Sequence, residues 1–72
     1  MPTLSPEVVK VANKVRLLRE EQFLSQRELA TMAGISPTTV VKLEAGGDAQ
    51  RRTVRKIASA LEVSPRDLID ED

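Results

Sequence analysis

The chain has 72 residues, with no Cys, no His, no Trp or Tyr and a single Phe. A disulfide framework and a thiolate metal site are excluded, and acid–base chemistry would fall to carboxylates and Lys alone. The 11 basic and 11 acidic residues cancel, which excludes an overall basic chain of the usual nucleic-acid-binding kind.

The charges are unevenly placed. Residues 10–56 carry ten Lys or Arg against five Asp or Glu, and residues 57–72 carry one Arg against five acids. The pattern is a basic body with an acidic tail. The length predicts a single domain over residues 1–72, near the lower limit for a core without staples. No leader pattern is visible, and no apolar run approaches the roughly 18 residues of a membrane span, so a cytoplasmic chain without membrane contact is expected.

Every periodic segment has helical spacing, and no strand is expected. Three Ser-Pro pairs, Ser5-Pro6, Ser36-Pro37 and Ser64-Pro65, each put Ser at a cap and Pro at the first helical position. A first helix is predicted over residues 6–22, with Val8, Val11, Ala12, Val15 and Leu18 as one apolar stripe. Phe23 and Leu24 then belong to the core at the corner. A second helix opens at the Ser25–Glu28 capping box, faces Leu29, Ala30 and Ala33 inward, and stops at Gly34. A third spans residues 37–45, with Ser36 as cap and Val40 and Leu43 as its inward pair. After a polar, Gly-rich loop, a fourth over residues 51–61 buries Val54, Ile57, Ala58 and Leu61. A fifth, over residues 65–70, is capped by Ser64 with Asp67 as box partner, and Leu68 and Ile69 cap the core or meet a second subunit. The expected fold class is all-α, a compact five-helix bundle.

Helices two and three together satisfy the demands of a helix-turn-helix. Gln26 starts the unit, Ala30 is small where the helices cross, and Gly34 takes the left-handed turn. Leu29, Ala33, Ile35, Val40 and Leu43 bury one side. The other side of helix three presents Pro37, Thr38, Val41 and Lys42. Thr bonds a base edge or touches a thymine methyl, Lys42 donates to guanine, Val41 suits a methyl, and Pro37 orients the helix. Thr39 contacts phosphate or bonds a carbonyl of its own helix.

The stretch LSQRELATMAGISPTTVVKLEAG resembles the Cro/phage-repressor type of helix-turn-helix, the xenobiotic-response-element-like family of bacterial regulators with a lambda-repressor-like DNA-binding domain. The resemblance extends to IASALEVSPRDLI downstream. It implies a homodimeric regulator, most simply a repressor, that binds a pseudo-palindromic site on double-stranded DNA with helix three in the major groove. It implies base reading by Pro37, Thr38, Val41 and Lys42. It implies backbone contact by Ser25, Gln26, Thr39, Gln50, Arg51, Arg52 and Thr53, Arg52 lying where a family Arg reaches toward the minor groove. Arg19 and Glu44 match a structural ion pair. No cofactor, metal or catalytic residue is implied, and the chain is not expected to be an enzyme.

Two helix ends depart from the family pattern. Phe23 stands where Gly is usual and Glu62 where Gly or Asn is usual, so those turns are expected to differ locally. Arg51 replaces a common Pro, and Ala45 replaces a common Asn. The acidic tail favours a second reading, an antitoxin or adaptor of the same fold that acts mainly through a protein partner.

Overall fold

A computed structural model describes residues 8–70. In chain order these form strand β1 (Val8–Lys10), helices α1 (Ala12–Glu21), α2 (Gln26–Ala33) and α3 (Pro37–Glu44), strand β2 (Asp48–Gln50), helix α4 (Arg51–Leu61) and a single 3-10 turn at Pro65–Leu68. Among the described residues the architecture is mostly helical, as expected, with four α-helices and a small two-stranded sheet where five helices and no strand were expected.

The strands correct the expectation of purely helical spacing. β1 and β2 pair antiparallel, with Val8 opposite Gln50, Val9 opposite Ala49 and Lys10 opposite Asp48. Three residues are too few to display an alternating pattern. Val8 and Val11 also fit a helical stripe, which hides the strand. The partner strand lies some forty positions along the chain, inside what reads as a Gly-rich loop. Lys10 adds a clasp: its Nζ pairs with Asp48 Oδ1 at 2.8 Å and donates to Gly46 O at 3.0 Å. α1 accordingly starts at Ala12; the predicted start at Pro6 lies outside the described residues.

The fifth predicted helix is also corrected. Pro65 starts a turn of 3-10 geometry that ends at Leu68, where Ile69 returns to extended backbone. Ser64 N donates to Asp67 Oδ2 at 3.2 Å, so the expected box partner closes a turn and not a helix. Leu68 is fully buried while Ile69 stays 39% exposed.

Local chemistry sets the other helix limits. Ser25 Oγ accepts from Glu28 N and Ser25 N donates to Glu28 Oε1, a complete capping box for α2. Gly34 ends α2 at φ 72°. Ser36 Oγ accepts from Thr38 N, and Pro37 fills the first turn of α3. The chain then folds back at Gly47, where an added Cβ would lie 2.8 Å from Lys42 O; only glycine allows that approach.

The core sits where α2 packs on both α3 and α4 and α1 closes over α3. Val11, Val15, Leu29, Ala30, Val40, Ile57 and Leu68 are fully buried. Phe23 is not among them: it is 92% exposed. Leu24, beside it, does pack against the core. Phe23 and Glu62 both take left-handed backbone, φ 57° and 61°, so the two turns keep the usual helix-ending geometry without glycine. Among the described residues, no helix is long and apolar enough to cross a membrane.

Candidate nucleic-acid interface

α3 buries Val40, Leu43 and Glu44 and leaves the rest of its surface free. Pro37, Thr38, Val41 and Lys42 are exposed, at positions that share one side of a helical turn. Val41 is 47% exposed, one of several large apolar residues that the fold leaves at the surface, with Leu17, Met32 and Ile69. Thr39 is half-buried at the edge of this face. Among the described residues, Lys42 makes no ion pair.

Two helix N-termini carry the remaining candidates. At α2, Ser25 Oγ accepts the capping bond and keeps its hydroxyl hydrogen to donate, and Gln26 is half-buried. The first N–H groups of a helix lack partners within it and attract anions. At α4, Gln50 precedes Arg51, Arg52 and Thr53 and supplies no side-chain cap, and the first turn holds no acid. Positive side chains at a helix N-terminus oppose the helix dipole. Their placement is unfavourable for the helix taken alone and favourable once an anion arrives. Gln50, Arg51 and Arg52 line a cleft of about 330 Å³, and Arg55 joins them. Arg55 is a residue that motif reading undervalues; its signal is the spacing of four from Arg51, which places both on one side of α4.

Arg19 and Glu44 meet. Arg19 Nε lies 2.7 Å from Glu44 Oε2 and Nη2 donates to Oε1 at 2.9 Å, a bidentate pair. The Glu44 side chain is 1% exposed and that of Arg19 12%. Arg19 Nη1 also donates to Leu24 O at 2.7 Å, tying down the α1–α2 corner. Burial alone would push the Glu44 carboxyl up. The bonds from Arg19 and Gln26, with the charges of Arg19 and Arg16, outweigh burial and hold it below the usual carboxylate range. The same bond from Glu44 raises the Arg19 guanidinium. Arg16 is a second participant that sequence reading misses: its Nε stands 3.7 Å from Glu44 Oε1 and its Nη2 donates to Glu44 O. Among the described residues, no group of acidic side chains is placed to hold a metal ion.

The helix-turn-helix family model, HTH_3, matches residues 15–68. The chain belongs to the helix-turn-helix family. The restriction-modification controller protein C.AhdI from Aeromonas hydrophila superposes with a TM-score of 0.78 at 34% identity, over 85% of this chain and 94% of its own. An HTH_3 family transcriptional regulator from Vibrio cholerae superposes with a TM-score of 0.77 at 32% identity, over 82% of this chain and 34% of its own. No curated protein matches the sequence. The helix-turn-helix unit proper is α2, the Gly34 turn and α3.

Proposed function

We propose that the chain is a DNA-binding transcriptional regulator that works as a homodimer, with α3 in the major groove of a pseudo-palindromic site. The observation that carries this reading is the side of α3 formed by Pro37, Thr38, Val41 and Lys42, which the fold leaves uncommitted while it buries the opposite side. Thr38 and Lys42 supply donors for base edges, and Val41 supplies an apolar surface for a thymine methyl. Ser25, Gln26, Thr39, Gln50, Arg51, Arg52 and Thr53 hold the phosphate backbone on either side. Likeness to a controller protein and to a transcriptional regulator supports the regulatory part of the proposal. An eight-residue recognition helix spans only a few base pairs, which favours two copies acting together. Selection of bound duplexes from a random pool tests it. A palindromic motif with half-site centres about 34 Å apart is expected. A single non-repeated motif bound by one protomer would refute the dimer, and no enrichment would refute sequence-specific binding.

A further inference from the structure

The Glu44 carboxylate serves more donors than an ion pair between two helices requires. Arg19 occupies both of its oxygens. Oε1 nevertheless takes a further bond, from Gln26 Nε2 at 3.1 Å. Gln26 is the first residue of α2, and Glu44 is the last of α3. A carboxylate only accepts, so it is the nitrogen of the Gln26 amide that faces inward. That nitrogen carries two N–H groups. With one held by a buried carboxylate, the other has a set direction.

We propose that Glu44 is a positioning residue for DNA binding, which fixes the Gln26 amide so that its second N–H stands ready for a phosphate oxygen at the start of α2. The proposal rests on the reading of Gln26 as a backbone contact given above. A free Gln side chain has several rotamers, and ordering it on binding lowers affinity. Here the ordering is done during folding. Glu44 is itself held by Arg19 from α1, so it is a rigid anchor and not a second mobile group. Glu44 also lies two residues beyond Lys42, so one carboxylate fixes the base-reading helix and the phosphate contact in a single frame. Glu44→Gln retains the shape but removes the charge and sets an amide N–H against one of the two Arg19 donors, so the anchor is no longer held from both sides and its bond to Gln26 is weakened.

A double-mutant cycle in DNA affinity tests this. Wild type, Gln26→Ala, Glu44→Gln and the double variant are titrated with a mixed-sequence duplex in low salt, where backbone contacts dominate. Each is measured below its melting temperature, so that the affinity is that of folded protein. Gln26→Ala is expected to weaken binding about tenfold and Glu44→Gln about fivefold, with no further loss in the double variant. Equal factors for Glu44→Gln in both backgrounds would mean that it acts only through the frame of the fold, and would overturn the proposal. No effect of Gln26→Ala would also overturn it. Wild type that binds no duplex at all would fell the proposed function as well, which separates the two failures. The wild type gives a reading that needs no variant. In its NMR spectrum one Gln26 Nε2 proton is expected to be shifted by its bond to Glu44, and the other to move when duplex is added. Two averaged, DNA-insensitive amide protons would overturn the proposal.

Discussion

Phe23 shows how a single backbone angle overrides side-chain hydrophobicity. A lone Phe reads as core by composition, because large apolar residues are most often buried. Its φ of 57° instead turns the ring into solvent. The chain keeps this geometry because the next residue depends on it. Leu24 N reaches Arg19 O at 3.1 Å and the Leu24 side chain packs on the core. Glu62 does the same for Val63, whose N–H reaches Ala58 O at 3.0 Å. The two corners are joined, since Gln22 Nε2 donates to Leu61 O. At Gly34 glycine marks such an end; at Phe23 and Glu62 spacing placed the helix ends, but the residue types hid the left-handed geometry that both turns keep. Phe23→Gly is therefore expected to stabilise the fold by about 0.5–1 kcal/mol, the left-handed cost relieved less the extra freedom glycine gives the unfolded chain. Gly34→Ala is expected to cost about 1 kcal/mol, although an added Cβ there meets nothing within 4 Å. Denaturant midpoints check both. A midpoint unmoved in Phe23→Gly would show that the ring has an anchor.

Elements whose ends carry local signals were legible, and elements made by distant partners were not. α4 runs over the residues that its apolar spacing predicts, and α2 starts at its capping box. α1 has neither a side-chain cap from Val11 nor an acid in its first turn. Its cap comes from Asp70, whose Oδ2 and Oδ1 accept from Asn13 N and Lys14 N, both at 3.2 Å. No inspection of residues 8–14 reveals this. Asp70→Ala is expected to lower stability by about 1 kcal/mol, read from the thermal midpoint, with the loss of protection in hydrogen exchange concentrated in the first turn of α1. Glu44 joins three helices and gives a pH test. Its folded pKa lies below the unfolded value of about 4.5, so its contribution is whole above that value and is lost as pH falls through the folded one. Wild type is expected to exceed Glu44→Gln by about 3 kcal/mol at neutral pH, and the two are expected to converge in acid. Parallel curves down to the acid limit would mean that the carboxylate's charge is not what stabilises the fold.

At the scale of the whole molecule, a zero net charge conceals a division of labour. The arginines of the α4 start lie in one cleft, and the acids of the tail include a helix cap and a turn closer. Lys42→Ala is expected to relax preference at one base position per half-site by about 1–3 kcal/mol. Arg52→Ala is expected to weaken binding to all sequences and lower the salt slope by about one per protomer. Identical behaviour of the two variants would remove the distinction between base reader and backbone clamp. Which residues compose the free side of α3 was legible from spacing alone, because burial within one helix follows its period. Of the carboxylate network behind it, the family resemblance supplied the Arg19–Glu44 pair, but spacing could not supply Arg16 or the bond from Gln26, because the partners come from three helices. The bond from Asp70 N to Lys10 O, 2.9 Å long, has a further consequence. Residues 10 and 70 touch, so the described fold is nearly a closed ring. A circular permutant that joins residue 70 to residue 8 by a short linker, and is opened at the exposed Phe23 corner, retains every helix-to-helix contact. Its chain would begin with α2 and end with α1, so the order in which a folding chain meets these elements is free to change while the free side of α3 is not.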